Sequence, residues 1–146
     1  PGVLQKVAGM FNRRGFNIES ITVGKSEVEG QSRMVITVHA DEKGLEQVTK
    51  QLNKLIDVIK IKDITKSAVK RELCLVKVSV PNAKARAEIM QYTNIFRAHI
   101  LDVSEQTLMV ELTGDKEKIN AFISLVENYG IKRIARTGLT AMSRGV

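Results

Sequence analysis

The sequence predicts an α+β protein of two βαββαβ units in tandem, the first lacking its opening strand. Three observations predict it. Apolar stripes at helical spacing alternate with short β-branched runs along all 146 residues. The order of these elements in the second half repeats that of the first. The stretches that open the second helix of each half also echo one another, Val38-His39-Ala40-Asp41-Glu42-Lys43 against Leu112-Thr113-Gly114-Asp115-Lys116-Glu117. A unit of this order sets a four-stranded antiparallel sheet under two helices, the ferredoxin-like arrangement.

Pro1 suits the first turn of a helix, where its missing N–H has no partner to lose. Leu4, Val7 and Phe11, widened by Val3 and Met10, give that helix one apolar face. Arg13 and Arg14 stand in its last turn and Gly15 stops it. Phe16 to Val23 is a β-branched run and reads as a strand. A polar loop, Lys25 to Gln31, leads to a second strand, Arg33 to Val38. Asp41-Glu42-Lys43 opens a helix with acids where the helix dipole favours them, and Leu45, Val48, Leu52 and Leu55 form its stripe. Val58 to Ile64 alternates like the next strand, with Lys60 and Lys62 on its wet side.

Thr65 to Arg71 has no apolar period and is expected to be a linker, which divides the chain into a first domain at 1–64 and a second at 72–146. Leu73 to Val80 reads as a strand apolar enough on both faces to be covered on both. Pro81-Asn82 breaks it. Ala85, Ile89, Tyr92 and Phe96 mark a helix, Ile100 to Val103 a strand, and Leu108 to Leu112 its hairpin partner. Gly114-Asp115 starts the last helix, striped by Ile119, Phe122, Ile123 and Val126; Gly130 ends it, and Ile131 to Arg136 is the closing strand. Without its opening strand the first unit has an edge and a sheet face to cover, and both favour association.

Composition narrows the function. At 43% apolar and 4% aromatic residues, the core falls to Ile, Val and Leu. No apolar run approaches the roughly 20 residues that cross a membrane, and no signal peptide is visible. Cys74, the single cysteine, sits in a strand pattern as a small buried hydrophobe, which suits a reducing, cytoplasmic setting. The chain opens at Pro1, already at a helix and without an initiator Met, so an N-terminal piece is expected before it. The net charge of +7 invites a nucleic-acid reading. Yet the excess lies mostly in residues 1–71, with 13 Lys and Arg against 8 Asp and Glu, and there it is scattered as on a solvated face.

Catalytic patterns are missing. His39 and His99 each sit in a strand pattern away from paired carboxylates, and no metal-ligand spacing, phosphate cradle or nucleophile elbow is present. The expectation is a non-enzyme with no cofactor and no metal. Two binding classes share the predicted fold. RNA-recognition motifs stack bases on aromatics of the open sheet face. Arg14-Gly15-Phe16 copies three positions of their signature, but Asn17-Ile18 departs from it and no other strand offers an exposed aromatic.

The second class is the small-molecule-sensing ACT domain. Pro1-Gly2-Val3-Leu4, Phe11 and Arg14-Gly15-Phe16-Asn17-Ile18-Glu19-Ser20-Ile21-Thr22-Val23 resemble the regulatory small subunits of acetolactate synthase, also called acetohydroxyacid synthase. So do Ser32-Arg33-Met34, Gln47, Lys50-Gln51-Leu52, Lys54-Leu55, Lys70-Arg71-Glu72-Leu73, Ile95-Phe96-Arg97, Ile100-Leu101-Asp102-Val103 and Ala135-Arg136-Thr137-Gly138. The family's first strand and the Asn-rich turn before Pro-Gly are not in the chain. The resemblance implies a homodimer or higher oligomer without an active site. It implies a subunit that binds and activates the thiamine-diphosphate-dependent catalytic subunit and confers feedback inhibition by valine or a related branched-chain amino acid. Nucleic acid and membrane are not expected partners. It also implies effector-binding residues at Gly2, Val3, Leu4, Asn17, Ile18, Thr22, Gly24 and Gln47.

The residue chemistry suits that role. Gly2 leaves the helix-entrance N–H groups open to a carboxylate, and Asn17 can accept from an ammonium while donating to a carboxylate. Taken without the family, Gly2 reads as a turn residue and Asn17 as a strand-opening cap.

Overall fold

The computed structural model describes residues 2–145, so the placement of Pro1 in the first turn lies outside the described residues. The chain forms two compact units. One runs to Ala68 and takes in the chain's end from Met142; the other is Val69–Ala141.

In the first unit the order is α1 (Val3–Arg13), β1 (Asn17–Lys25), β2 (Ser32–His39) and α2 (Glu42–Asn53). The stripes do what their spacing predicts. Val7 and Phe11 of α1 and Val48 and Leu52 of α2 are buried together, with Ile18, Met34, Ile36 and Val38 of the strands packed against them. Asp41 caps α2 by accepting the Gly44 N–H at 2.7 Å. A glycine is required at 44, because a Cβ there would meet the Phe16 ring at 2.7 Å. After α1 the chain reverses at once: the Gly15 N–H donates to Asn12 and the Phe16 N–H to Phe11, with Gly15 at φ +75°. β1 and β2 pair antiparallel from Asn17↔His39 to Lys25↔Ser32, and Arg33 clamps the connecting loop through both oxygens of Glu27.

The strand expected at Val58 to Ile64 is corrected: residues 58–64 form no strand. The second unit shows why. There the counterpart strand, residues 131–136, pairs among the described residues with the first strand of its unit alone. Among the described residues the first unit shows no counterpart of that first strand, so there the alternating segment has no strand to hydrogen-bond. Ile61 still packs on the core, while Ile56 is 99% and Ile59 72% exposed.

The second unit runs β3 (Ala68–Ser79), α3 (Ala83–Ile95), β4 (His99–Val103), β5 (Thr107–Gly114), α4 (Lys116–Val126), β6 (Ile131–Arg136) and β7 (Thr140–Ser143). The sheet order β4-β5-β3-β6 is the antiparallel ferredoxin-like one. Asn82 and Asp115 cap α3 and α4 through Ala85 and Lys118. Cys74, Val76 and Val78 of β3 and Leu108, Val110 and Leu112 of β5 are buried against Ile89, Ile119, Phe122 and Val126 of the helices. β3 begins at Ala68, inside the stretch expected as linker. β5 pairs with it from Glu72 and β6 from Cys74, and β7, which the sequence reading passed over, also pairs with β3.

Candidate functional site

The start of α1 differs from the starts of the other helices among the described residues. α2, α3 and α4 each have an Asp or Asn side chain accepting an N–H of the first turn; α1 begins at Gly2, with φ +84° and no side-chain cap. The Lys6 N–H is the first to reach a helical acceptor, the Gly2 carbonyl, at 3.0 Å. The amides of Val3, Leu4 and Gln5 therefore have no acceptor within the helix. A Cβ at Gly2 would meet nothing within 4 Å among the described residues. Val3 packs against the first core, while Leu4 is 45% exposed.

Asn17 lies at the other end of the helix. It is the exposed first residue of β1, set beside the C-terminal turn of α1 and paired with His39, whose Nε2 is 3.8 Å from Glu19. The 11 residues of α1 rise about 16 Å, which separates Gly2 from Asn17 within one chain. β1 then runs back along the helix, and Thr22 and Gly24, opposite Val35 and Arg33, stand ~17–23 Å further along the strand. Ile18 is half-buried in the core with Val38, so its side chain is committed to packing. Gln47 is exposed on α2, in an open depression of ≈ 490 Å³ lined by Arg14, Lys50, Gln51, Asn53 and Lys54. The eight residues thus fall into separate neighbourhoods: the Gly2 end, the Asn17 end and the basic depression.

The second unit holds a polar cluster that the sequence reading did not assemble. Glu72, only 6% exposed, accepts from Arg136 through Nε at 3.2 Å and Nη2 at 2.6 Å, and from the Gly138 N–H at 3.0 Å. Arg136 also donates to Asn120 of α4, and Thr137 exchanges two hydrogen bonds with the backbone of Leu73. Lys70-Arg71-Glu72-Leu73 and Ala135-Arg136-Thr137-Gly138 are therefore one structural clamp between β3 and the end of β6. Burial pushes the Cys74 thiol beside it up. Tyr129 donates its O–H to Glu88, and this bond pushes its phenol far above the ordinary range. Among the described residues no group of three or more His, Cys, Asp or Glu is placed to hold a metal ion, and no helix is long and apolar enough to cross a membrane.

Comparison with known proteins places this geometry in a family. Residues 1–60 match a model described as the AHAS small subunit-like ACT domain, and residues 71–145 match one described as the small subunit of acetolactate synthase. The chain belongs to the acetolactate synthase small subunit family. Similar small subunits include the probable one of Methanothermobacter thermautotrophicus, 64% identical over 99% of this chain and 87% of that protein. The Bacillus subtilis small subunit is 51% identical over 99% of this chain and 84% of its own. The crystal structure of the Thermotoga maritima small subunit matches with a TM-score of 0.89 at 47% identity, covering all of this chain and 91% of that one. The small-subunit fold and the ACT character of the first unit are thereby fixed.

Proposed function

We propose that this chain is the non-catalytic regulatory partner of a thiamine-diphosphate-dependent acetolactate synthase catalytic subunit. In this reading it works in the cytoplasm, raises the activity of that subunit, and inhibits it when valine binds to its own first unit. The observation that carries the reading is the start of α1. Three open N–H groups behind a glycine, at the positive end of a helix, suit the carboxylate of an amino acid.

The effector site draws on two chains. Gly2 and Asn17 of one chain are too far apart to hold one small amino acid, so the Gly2 end of one copy meets Asn17 of another. Thr22 and Gly24 face across the joint. The free edge and open face of the two-stranded sheet supply the surface for that homodimer. Closing a valine side chain between two copies removes more of it from water than one shallow face can. The basic depression around Gln47 plays no part in gripping a carboxylate at Gly2.

The test is a valine titration of the holoenzyme rebuilt from this chain and its catalytic subunit. Gly2→Asp sets a carboxylate where the ligand's must sit and should abolish inhibition while leaving activation intact. Inhibition of that variant at the wild-type valine concentration overturns the assignment.

A further inference from the structure

A free amino acid carries two opposite charges, and a site that takes it out of water has to answer both. The N–H groups at the start of α1 answer the carboxylate. None of the residues assigned to the effector so far is charged, so the ammonium is left with the Asn17 amide alone. A cation closed between two copies is costly unless an anion meets it.

The sheet places an anion beside Asn17. Along β1, Ile18 lies opposite Val38 and Ser20 opposite Thr37, so Glu19 is the extra residue of a β-bulge. Bulges re-aim a side chain, and His39 shows where this one is sent. Ile18 and Val38 face the core, so Asn17 and His39, one position further along each strand, face the helix-free side. The Glu19 carboxylate is 3.8 Å from His39 Nε2, and therefore stands on that same side. Its side chain is 28% exposed, sheltered enough to strengthen an ion pair and still open to a ligand. The other acids of the first unit have different places. Glu27, Glu46 and Asp57 pair with Arg33, Lys50 and Lys6; Asp41 and Glu42 serve the first turn of α2; Glu29 and Asp63 lie in loops.

We infer that Glu19 is the anion that grips the effector's ammonium and so selects an α-amino acid over a plain carboxylate of the same shape. The inference rests on the effector reading above and adds to it the residue that senses the amino group. Asn17 gives direction and Glu19 gives charge. Isovalerate, which is valine without its amino group, brings only a negative charge to the site, and Glu19 repels it. The same carboxylate thus accepts the amino acid and rejects acids that lack the amino group.

The test is isothermal titration of valine and of isovalerate into the full chain and into its Glu19→Gln variant. Glutamine keeps the shape and loses the charge. Valine should bind the variant at least about tenfold more weakly, because a hydrogen bond between two charged groups becomes one with a neutral acceptor. Isovalerate should bind the variant as well as it binds the wild type, or better. The preference between the two ligands therefore collapses from both sides. If Glu19 only held the bulge in shape, both ligands would weaken together, and that parallel loss overturns the inference. Unchanged valine binding overturns it as well. Glu19→Asp keeps the charge and should keep a clear preference for valine over isovalerate; equal affinities in that variant also overturn the inference. Should Glu19→Gln unfold, as circular dichroism would show, the aspartate comparison decides alone. A wild-type chain that ignores valine would instead refute the effector reading itself, which keeps the two failures apart.

Discussion

If the effector site is built from the Gly2 end of one chain and Asn17 of another, two defective variants should complement each other. Gly2→Asp blocks the carboxylate end and Asn17→Ala removes the polar contact. In a mixed dimer one site carries both lesions, while the other combines a native Gly2 with a native Asn17. Random pairing makes half the dimers mixed, so about one site in four is restored. The size of the single defects follows from the chemistry. Asn17 is exposed and, in the isolated chain, packs against nothing that its loss would unravel. Asn17→Ala therefore removes only a hydrogen bond to a charged ligand, about 1.5–3 kcal/mol, or roughly 10- to 150-fold in affinity. Gly2→Asp adds a like charge and also forces an aspartate into the left-handed backbone at φ +84°, so its binding should fall below detection. The assay is isothermal titration of valine into each variant and into their mixture after subunit exchange. Tight sites should be absent from either variant and reappear in the mixture at about a quarter of the wild-type number. A mixture with no tight sites would mean that Gly2 and Asn17 act in the same chain, or that one of them does not touch the effector.

Other perturbations probe the frame of the molecule. Glu72→Gln puts an amide group where Arg136 and the Gly138 N–H both donate, so it should cost the second unit about 2 kcal/mol in urea unfolding; a change under roughly 0.5 kcal/mol would show the clamp to be idle. Tyr129 should keep its proton well above the ordinary phenol range because its O–H donates to Glu88. Absorbance at 295 nm should therefore show one of the two tyrosines titrating late, and Glu88→Gln should bring it back toward ~10. A phenol pKa raised by folding stabilises below the unfolded value and loses that contribution as pH rises past it, so this contribution to stability declines only in alkali. Two glycine substitutions should have opposite signs. Gly9→Ala in α1 meets nothing within 4 Å and should stabilise by ~0.5–1 kcal/mol; Gly44→Ala drives a Cβ into the Phe16 ring and the Asp41 carboxylate and should destabilise by about 1–3 kcal/mol, both read in urea unfolding.

The features that were readable in the sequence are those decided within a few residues. Apolar stripes fixed all four helices, and Asp41 and Asp115 marked two of their starts, because a cap acts only on its own first turn. The closing strand came out at Ile131–Arg136, where it was expected. Even the tripeptide Arg14-Gly15-Phe16, which imitates an RNA-binding signature, resolves into local chemistry. Arg14 caps α1, Gly15 takes the positive φ and Phe16 packs edge-on against Phe11 at 6.3 Å. What stayed hidden depends on distant partners. Val58 to Ile64 has strand alternation, but a strand is a property of two segments, and its neighbour is not among these residues. Glu72 and Arg136 are 64 positions apart, and neither signals the other. The candidate site shows both limits at once. Gly2 and Asn17 are recognisable by type, one as a bare helix entrance and the other as a two-way polar group. Their separation across the length of α1 follows only from the direction in which β1 returns, and it is this separation that leads the proposed effector site to be shared between two chains.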